Sequence, residues 1–198
     1  MTDPRETSVP ELLKKATIKL ILERGYAGAT LTPILKEAGL SKGALFHHFD
    51  GRDALIAAAY VDELAKIMAL ETAATRALRQ GEIDLDRFLL DLVNRYCNDR
   101  FAVTMEVALA IRTRPQITEA AGGFADWIAF RKTIWSDTFD LPGETQARAD
   151  IHWTMLEYTL RGLGLRRTFG TDDTPIPVLR AALHEEFFAK ATIRPWAD

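Results

Sequence analysis

Between Arg52 and Arg79 the chain runs for about 28 residues without a proline or a glycine. Leu55, Ile56, Ala59, Tyr60, Leu64, Ile67, Met68 and Leu78 recur through that run at helical spacing. A helix of this length is too long for a three-helix domain of roughly 50 residues, so it joins two parts of the molecule. Helical periodicity continues on both sides. Leu13, Ala16, Thr17, Leu20 and Ile21 form one face of a helix over 11–24 that Gly25 ends, and Leu31–Ala38 and Lys42–His48 read as two short helices. Beyond the long run, helices are expected over 85–98, 101–113 (with Pro115 on its far side), 115–139 (weak at Gly122-Gly123), 144–168 and 175–192. Period-two alternation is absent, so strands are not expected. The expected fold is all-α, with about nine helices.

The stretch Leu31–Arg52 carries the chemistry. Thr30 stands where it can cap the first short helix, and Pro33 falls in that helix's first turn, where proline is tolerated. Gly39 breaks the helix, and Ser41 can cap the next. Two short helices joined by a tight turn are the requirement of a DNA-reading helix-turn-helix. In the second helix Leu45 and Phe49 are the expected core anchors, leaving Lys42, Gly43, Ala44, His47 and His48 to face outward. Small residues let a helix backbone approach a major-groove floor, and the Ala44 methyl could meet a thymine methyl. Lys42 can reach a phosphate or a guanine edge, the histidines can donate hydrogen bonds, and Arg52 opens a helix end suited to phosphate. An ordinary helical hairpin satisfies the turn and caps equally well.

Charge permits the DNA reading without requiring it. The net charge is −3, but residues 1–52 hold 8 Lys+Arg against 6 Asp+Glu, and residues 53–198 hold 17 against 22. The one cysteine, Cys97, forbids an intramolecular disulfide, and the four histidines show no i, i+4 pairing, so no metal site and no cofactor are expected. No nucleophile–base pair or phosphate-binding loop is evident, and no catalytic residue is assigned. The longest apolar run, Leu55–Val61, is well short of the about 20 residues a membrane span takes. The first residues lack the basic flank and apolar core of a signal peptide, so a cytoplasmic protein is expected.

Gly25-Tyr26, Thr30, Ala38-Gly39-Leu40-Ser41, Gly43-Ala44-Leu45-Phe46, His48-Phe49 and Arg52 together resemble the N-terminal domain of the tetracycline-repressor (TetR) family of transcriptional regulators. The resemblance covers about residues 10–60. It departs from the family pattern at Phe46, where a tyrosine is usual, at Arg52 in place of lysine, and at Leu35 in place of alanine. It implies a DNA-binding domain over 8–52 and a ligand-binding and dimerisation domain over 53–198. Thr30, Lys42, Gly43, Ala44, Phe46, His47, His48 and Arg52 would meet double-stranded DNA at a palindromic operator. A homodimer would form through the last two long helices, with Ala147, Ile151, Met155, Leu179, Ala182, Leu183 and Phe187 at the interface. A pocket among the middle helices would take a small apolar or aromatic effector and release the DNA. Candidate lining residues are Tyr96, Cys97, Phe101, Met105, Trp127, Phe130, Trp153 and Tyr158, with Arg112 or His152 as polar anchor. Two other readings remain open at this stage: a helical interaction module that has lost DNA binding, and, less favoured, an all-helical enzyme.

Overall fold

A computed structural model of the protein describes residues 8–114 and 123–196, and the side chains of these except 123–125, 128 and 132. The expected weak point at Gly122 and the stop at Pro115 lie outside the described residues. The fold is all-α. Nine α-helices are present among the described residues: α1 Val9–Gly28, α2 Leu31–Ala38, α3 Lys42–Phe46, α4 Arg52–Arg79, α5 Leu85–Tyr96, α6 Asp99–Ile111, α7 Gly123–Thr138, α8 Gln146–Thr168 and α9 Ile176–Leu183. A π-helical turn, His184–Phe188, continues α9.

Contacts divide the described residues into two compact units, 8–65 with 102–114 and 123–125, and 66–101 with 126–196. The first unit is built on α1 to α3 and the start of α4. Its core is Leu13, Leu20, Ile21, Ile34, Leu45, Leu55, Ile56 and Ala59, each fully or almost fully buried. Burying a leucine of this kind stabilises by about 1.5–3 kcal/mol relative to leaving it in water. The helix ends follow from single residues. Ser8 N–H donates to Glu11 at 3.1 Å, closing the start of α1. Gly25 breaks α1 with φ 71° and ψ 170°, and Gly39 ends α2 in the left-handed region, φ 67° and ψ 29°. Only glycine takes such angles without strain.

The second unit packs around aromatic rings. Phe139 stands 5.0 Å from Phe188, 5.6 Å from Trp153 and 5.9 Å from Phe88, centroid to centroid, and Trp135 stacks on Trp153 at 6.4 Å. Two details differ from expectation. Phe139–Asp140 and Thr192–Ile193 form a two-residue antiparallel pairing, too short to leave any alternation in the sequence. The last helix also stops earlier than residue 192, because five residues of π-helix at His184–Phe188 turn Phe187 and Phe188 into the core. No described helix is long and apolar enough to cross a membrane.

Candidate DNA-reading and effector sites

The helix-turn-helix is assembled by its turn and its caps. The left-handed Gly39 turns the chain so that Ser41 Oγ accepts the Ala44 N–H at 3.2 Å, and this fixes the first turn of α3. Leu45, at 0 % exposure, is the only residue of α3 buried in the core. Lys42, Gly43, Phe46, His47 and His48 all lie exposed, with Ala44 half-buried beside them. Lys42 makes no ion pair among the described residues. His47 and His48 meet edge to face at 4.8 Å. Thr30 occupies the N-cap position of α2 in extended geometry, but its side chain makes no capping bond, so its hydroxyl stays exposed. The structure therefore presents seven of the eight expected DNA-contacting residues on or beside the surface of this motif.

Arg52 is placed differently. Its Nε donates to the Ala29 carbonyl at 2.8 Å, its Nη2 donates to the Tyr26 carbonyl, and its Nη1 lies 3.4 Å from Asp53. The guanidinium also covers the Tyr26 ring, 4.5 Å from its centroid. The turn between α1 and α2 leaves two carbonyls without helical partners, and Arg52 supplies their donors. Arg52 thus has an internal role in this turn, and the side chain is half-buried.

The same turn is held from α6. Glu106 accepts the Tyr26 N–H at 2.6 Å, and Arg114, just beyond α6, pairs with Asp53 at 2.9 Å and donates to the Tyr26 hydroxyl at 3.3 Å. Neither residue stands out in the sequence, since an acid and a base on a helical face are ordinarily solvated.

In the second unit a cleft of about 640 Å³ lies between α7 and α8. Trp127, Arg131, Thr133, Trp135 and Ser136 line it from α7, and Asp150, Trp153, Thr154, Glu157, Tyr158 and Arg161 from α8. Of the eight expected ligand residues it brings together Trp127, Trp153 and Tyr158. Tyr96 is buried behind the wall, where its hydroxyl serves Arg131, and Phe101 packs against Tyr96 at 5.2 Å. Cys97 caps α5 half-buried, its thiol pushed above the ordinary range by burial. Phe130 stacks on Trp127 at 6.3 Å without lining the cleft, and Met105 belongs to the other compact unit. The expected anchors are corrected as well. Arg112 is an exposed residue of the first unit, and His152 is bonded to the Phe187 carbonyl at 2.8 Å, beside a different cavity.

The polar lining is a buried charge network. Arg131 pairs with both Glu71 and Glu157 and donates to the Tyr96 hydroxyl at 2.5 Å. Glu157 also accepts from the Trp135 indole and faces the Tyr96 hydroxyl at 3.4 Å. Burial works against the charge on Arg131, yet Tyr96 and Glu71 raise its pKa above the ordinary arginine value. Burial drives the Tyr96 phenol upward, so it remains a neutral donor. Residues 127, 131 and 135 share one face of α7, and 150, 153, 154, 157, 158 and 161 one face of α8, a 3.6-residue signal present in the sequence.

Six exposed residues and the half-buried Ala44 stand on one helix-turn-helix, over a core that buries only Leu45 of the second helix, and they define the class by its fold: a helix-turn-helix protein. Residues 6–59 match the family model described as bacterial regulatory proteins, tetR family. That match covers 54 of the 198 residues and bears on the N-terminal domain alone. A curated relative, the HTH-type transcriptional repressor AcnR of Corynebacterium efficiens, is 29% identical over 114 residues, covering 58% of this chain and 56% of that protein. The matched segment thus spans little more than half of that relative's length. Among solved structures, a transcriptional regulator from Rhodococcus sp. Rha1 superposes with a TM-score of 0.71 at 23% identity, covering 92% of this chain and 96% of that one. The multidrug binding protein EbrR complexed with ethidium superposes with a TM-score of 0.64 at 22% identity, covering 93% and 99%. Both likenesses bear on the fold across nearly the whole chain.

Proposed function

We propose that this protein is a ligand-responsive transcriptional repressor that binds a palindromic operator as a homodimer and leaves it when a small aromatic effector occupies the α7–α8 cleft. Residues 8–52 serve as the DNA-binding domain, and 53–198 serve effector binding and dimerisation. The observation that carries the reading is the α3 surface, where Lys42, Gly43, Ala44, Phe46, His47 and His48 stand clear of the core on a motif matched by the tetR family model. Side chains of this kind divide their work: the cationic and histidine groups hold phosphates, and the short residues admit the backbone to base edges.

One recognition helix gives limited affinity, and a two-fold dimer doubles the contacts when half-sites lie about 34–36 Å apart. Ile151, Met155 and Val178 expose 65, 51 and 55 % of their surface on α8 and α9, and with Ala147 and Ala182 they supply the dimer face. The cleft, walled by three tryptophans, suits an aromatic molecule, as the ethidium complex of the EbrR neighbour illustrates for that protein. An effector acts by binding more tightly to the form that does not fit DNA. Its curated relatives are transcriptional regulators, and no catalytic role is proposed.

The reading is tested by anisotropy titration against DNA from upstream of the protein's own gene. Specific binding is expected to exceed binding to random DNA by at least about 10³-fold at moderate salt. Equal affinity for both would end the regulator reading.

A further inference from the structure

The α7–α8 cleft carries a charge preference that its aromatic walls alone do not reveal. Glu157 sits in the wall, where a cationic ligand would seek a partner, but its two oxygens already receive Arg131, the Trp135 indole and the Tyr96 hydroxyl. A carboxylate has about four acceptor sites, so little capacity remains for a ligand. The ring faces are engaged in the same sense. The Arg131 guanidinium stands 5.3 Å from the Trp127 centroid and 5.8 Å from that of Trp135, where a cation brought in by a ligand would otherwise lie.

Arg161 is the exception. Its side chain is 41 % exposed, and its 3.7 Å approach to Glu157 is the one ion pair or hydrogen bond it makes among the described residues. A guanidinium offers five N–H donors in a planar fork, so most of its capacity is unused in a residue that lines the cleft. Charge balance points the same way. Glu71 and Glu157 share Arg131, and Glu71 also lies in the field of Arg95, whose pKa burial lowers against the support of Glu71, so the two acids are already engaged by bases other than Arg161. Asp150, the remaining acid of the cleft, is exposed and accepts from Gln146 at 2.8 Å. It lies eleven residues before Arg161 on α8, about 16 Å along the helix axis, beyond the screening length at physiological salt.

We propose that the cleft takes a planar aromatic carboxylate, its ring against the exposed Tyr158 and its carboxylate on the fork of Arg161, three residues further along α8. This rests on the reading of the cleft as the effector site and adds the charge of the effector. A bidentate guanidinium–carboxylate contact at a partly shielded site sets the preference, while the saturated Glu157 and the occupied ring faces work against ammonium ligands.

Calorimetric titration of the full-length protein with two matched sets of probes tests this: 4-tert-butylbenzoate, its amide and the corresponding benzylammonium, and 2-naphthoate, its amide and naphthylmethylammonium. At least one carboxylate is expected to bind about tenfold or more tightly than its own amide, with the ammonium weakest. Arg161→Gln should bring the carboxylate down to the affinity of the amide, and Arg161→Lys should keep part of the difference. Circular dichroism of both variants should be unchanged, as the side chain is largely at the surface. The proposal is overturned if an amide or ammonium binds as well as its carboxylate, if Arg161→Gln leaves the ratio intact, or if neither carboxylate binds more tightly than about 1 mM. A parallel DNA-release assay separates the two readings. Arg161-dependent carboxylate binding that leaves specific DNA bound rejects the effector role and keeps the anion site, whereas release by the ammonium probes alone keeps the regulator and rejects the anion site.

Discussion

Arg52 and Lys42 are both cations of the helix-turn-helix unit, and their surroundings give them different work. Arg52 satisfies the carbonyls of Tyr26 and Ala29 and covers the Tyr26 ring, so its removal leaves acceptors unmatched in a half-buried turn. Arg52→Ala is expected to lower unfolding stability by about 1–3 kcal/mol, measured by urea denaturation, with weaker DNA binding following from a displaced α2. Lys42 is exposed and makes no ion pair among the described residues, so Lys42→Ala should leave stability within about 0.5 kcal/mol of the parent. Its effect belongs to DNA. If Lys42 holds a phosphate, the slope of log affinity against log salt should fall by about one contact's worth. An unchanged slope with altered base preference would make Lys42 a base reader instead. Phe46, 55 % exposed, fits the same division, because a ring left in water on a recognition helix has no role in the core.

At the scale of elements, the helices were readable and their partners were not. The boundaries of α2 and α4 follow from Thr30, Gly39, Gly51 and Gly81, and the outward face of α3 follows from the single apolar anchor Leu45. Pairings between distant residues leave no local trace. Glu71 lies 60 residues from Arg131, and Glu106 lies 80 residues from Tyr26, so neither the cleft network nor the hold on the α1–α2 turn shows in any short window. The aromatic residues of 96–158 were legible as a group, but which of them face a cleft depends on how α7 and α8 pack. Helix rotation likewise sends Leu183 and Phe187, expected at the dimer face, into the core at 5 and 9 % exposure. Gly164 is another case of hidden packing. A methyl group there would come within 2.5 Å of the Tyr96 carbonyl and of the Phe101 ring. Gly164→Ala should therefore destabilise by about 1–3 kcal/mol despite the better helix propensity of alanine, read as a lower denaturation midpoint. A midpoint equal to the parent's would show that α8 can slide off α5 at no cost.

For the molecule as a whole, the proposed dimer makes the DNA reading effective, and the exposed stripe on α8 and α9 gives it a place to form. Ile151 and Met155 follow one another at i and i+4, with exposures of 65 and 51 %. Val178 on α9 is 55 % exposed, so the apolar surface extends over both helices. Such surface is unfavourable in water, and a stable interface buries roughly 1,600 Å² in total with a largely apolar centre. A charge at the middle of the stripe should be costly only in the dimer, since Met155 makes little of the core. Met155→Glu is accordingly expected to give a folded monomer by sedimentation equilibrium, with an unchanged helical spectrum. Its affinity for a palindromic site should fall by about 10²-fold or more, while its affinity for a single half-site stays near that of the parent, because the α3 surface is untouched. Leu183→Ala serves as the contrast. That residue is 5 % exposed and packed in the aromatic core, so its truncation should lower unfolding stability by about 2–5 kcal/mol whatever the state of assembly. If Met155→Glu remains dimeric, the stripe is not the interface, and the doubling of contacts must be sought on another face of the chain.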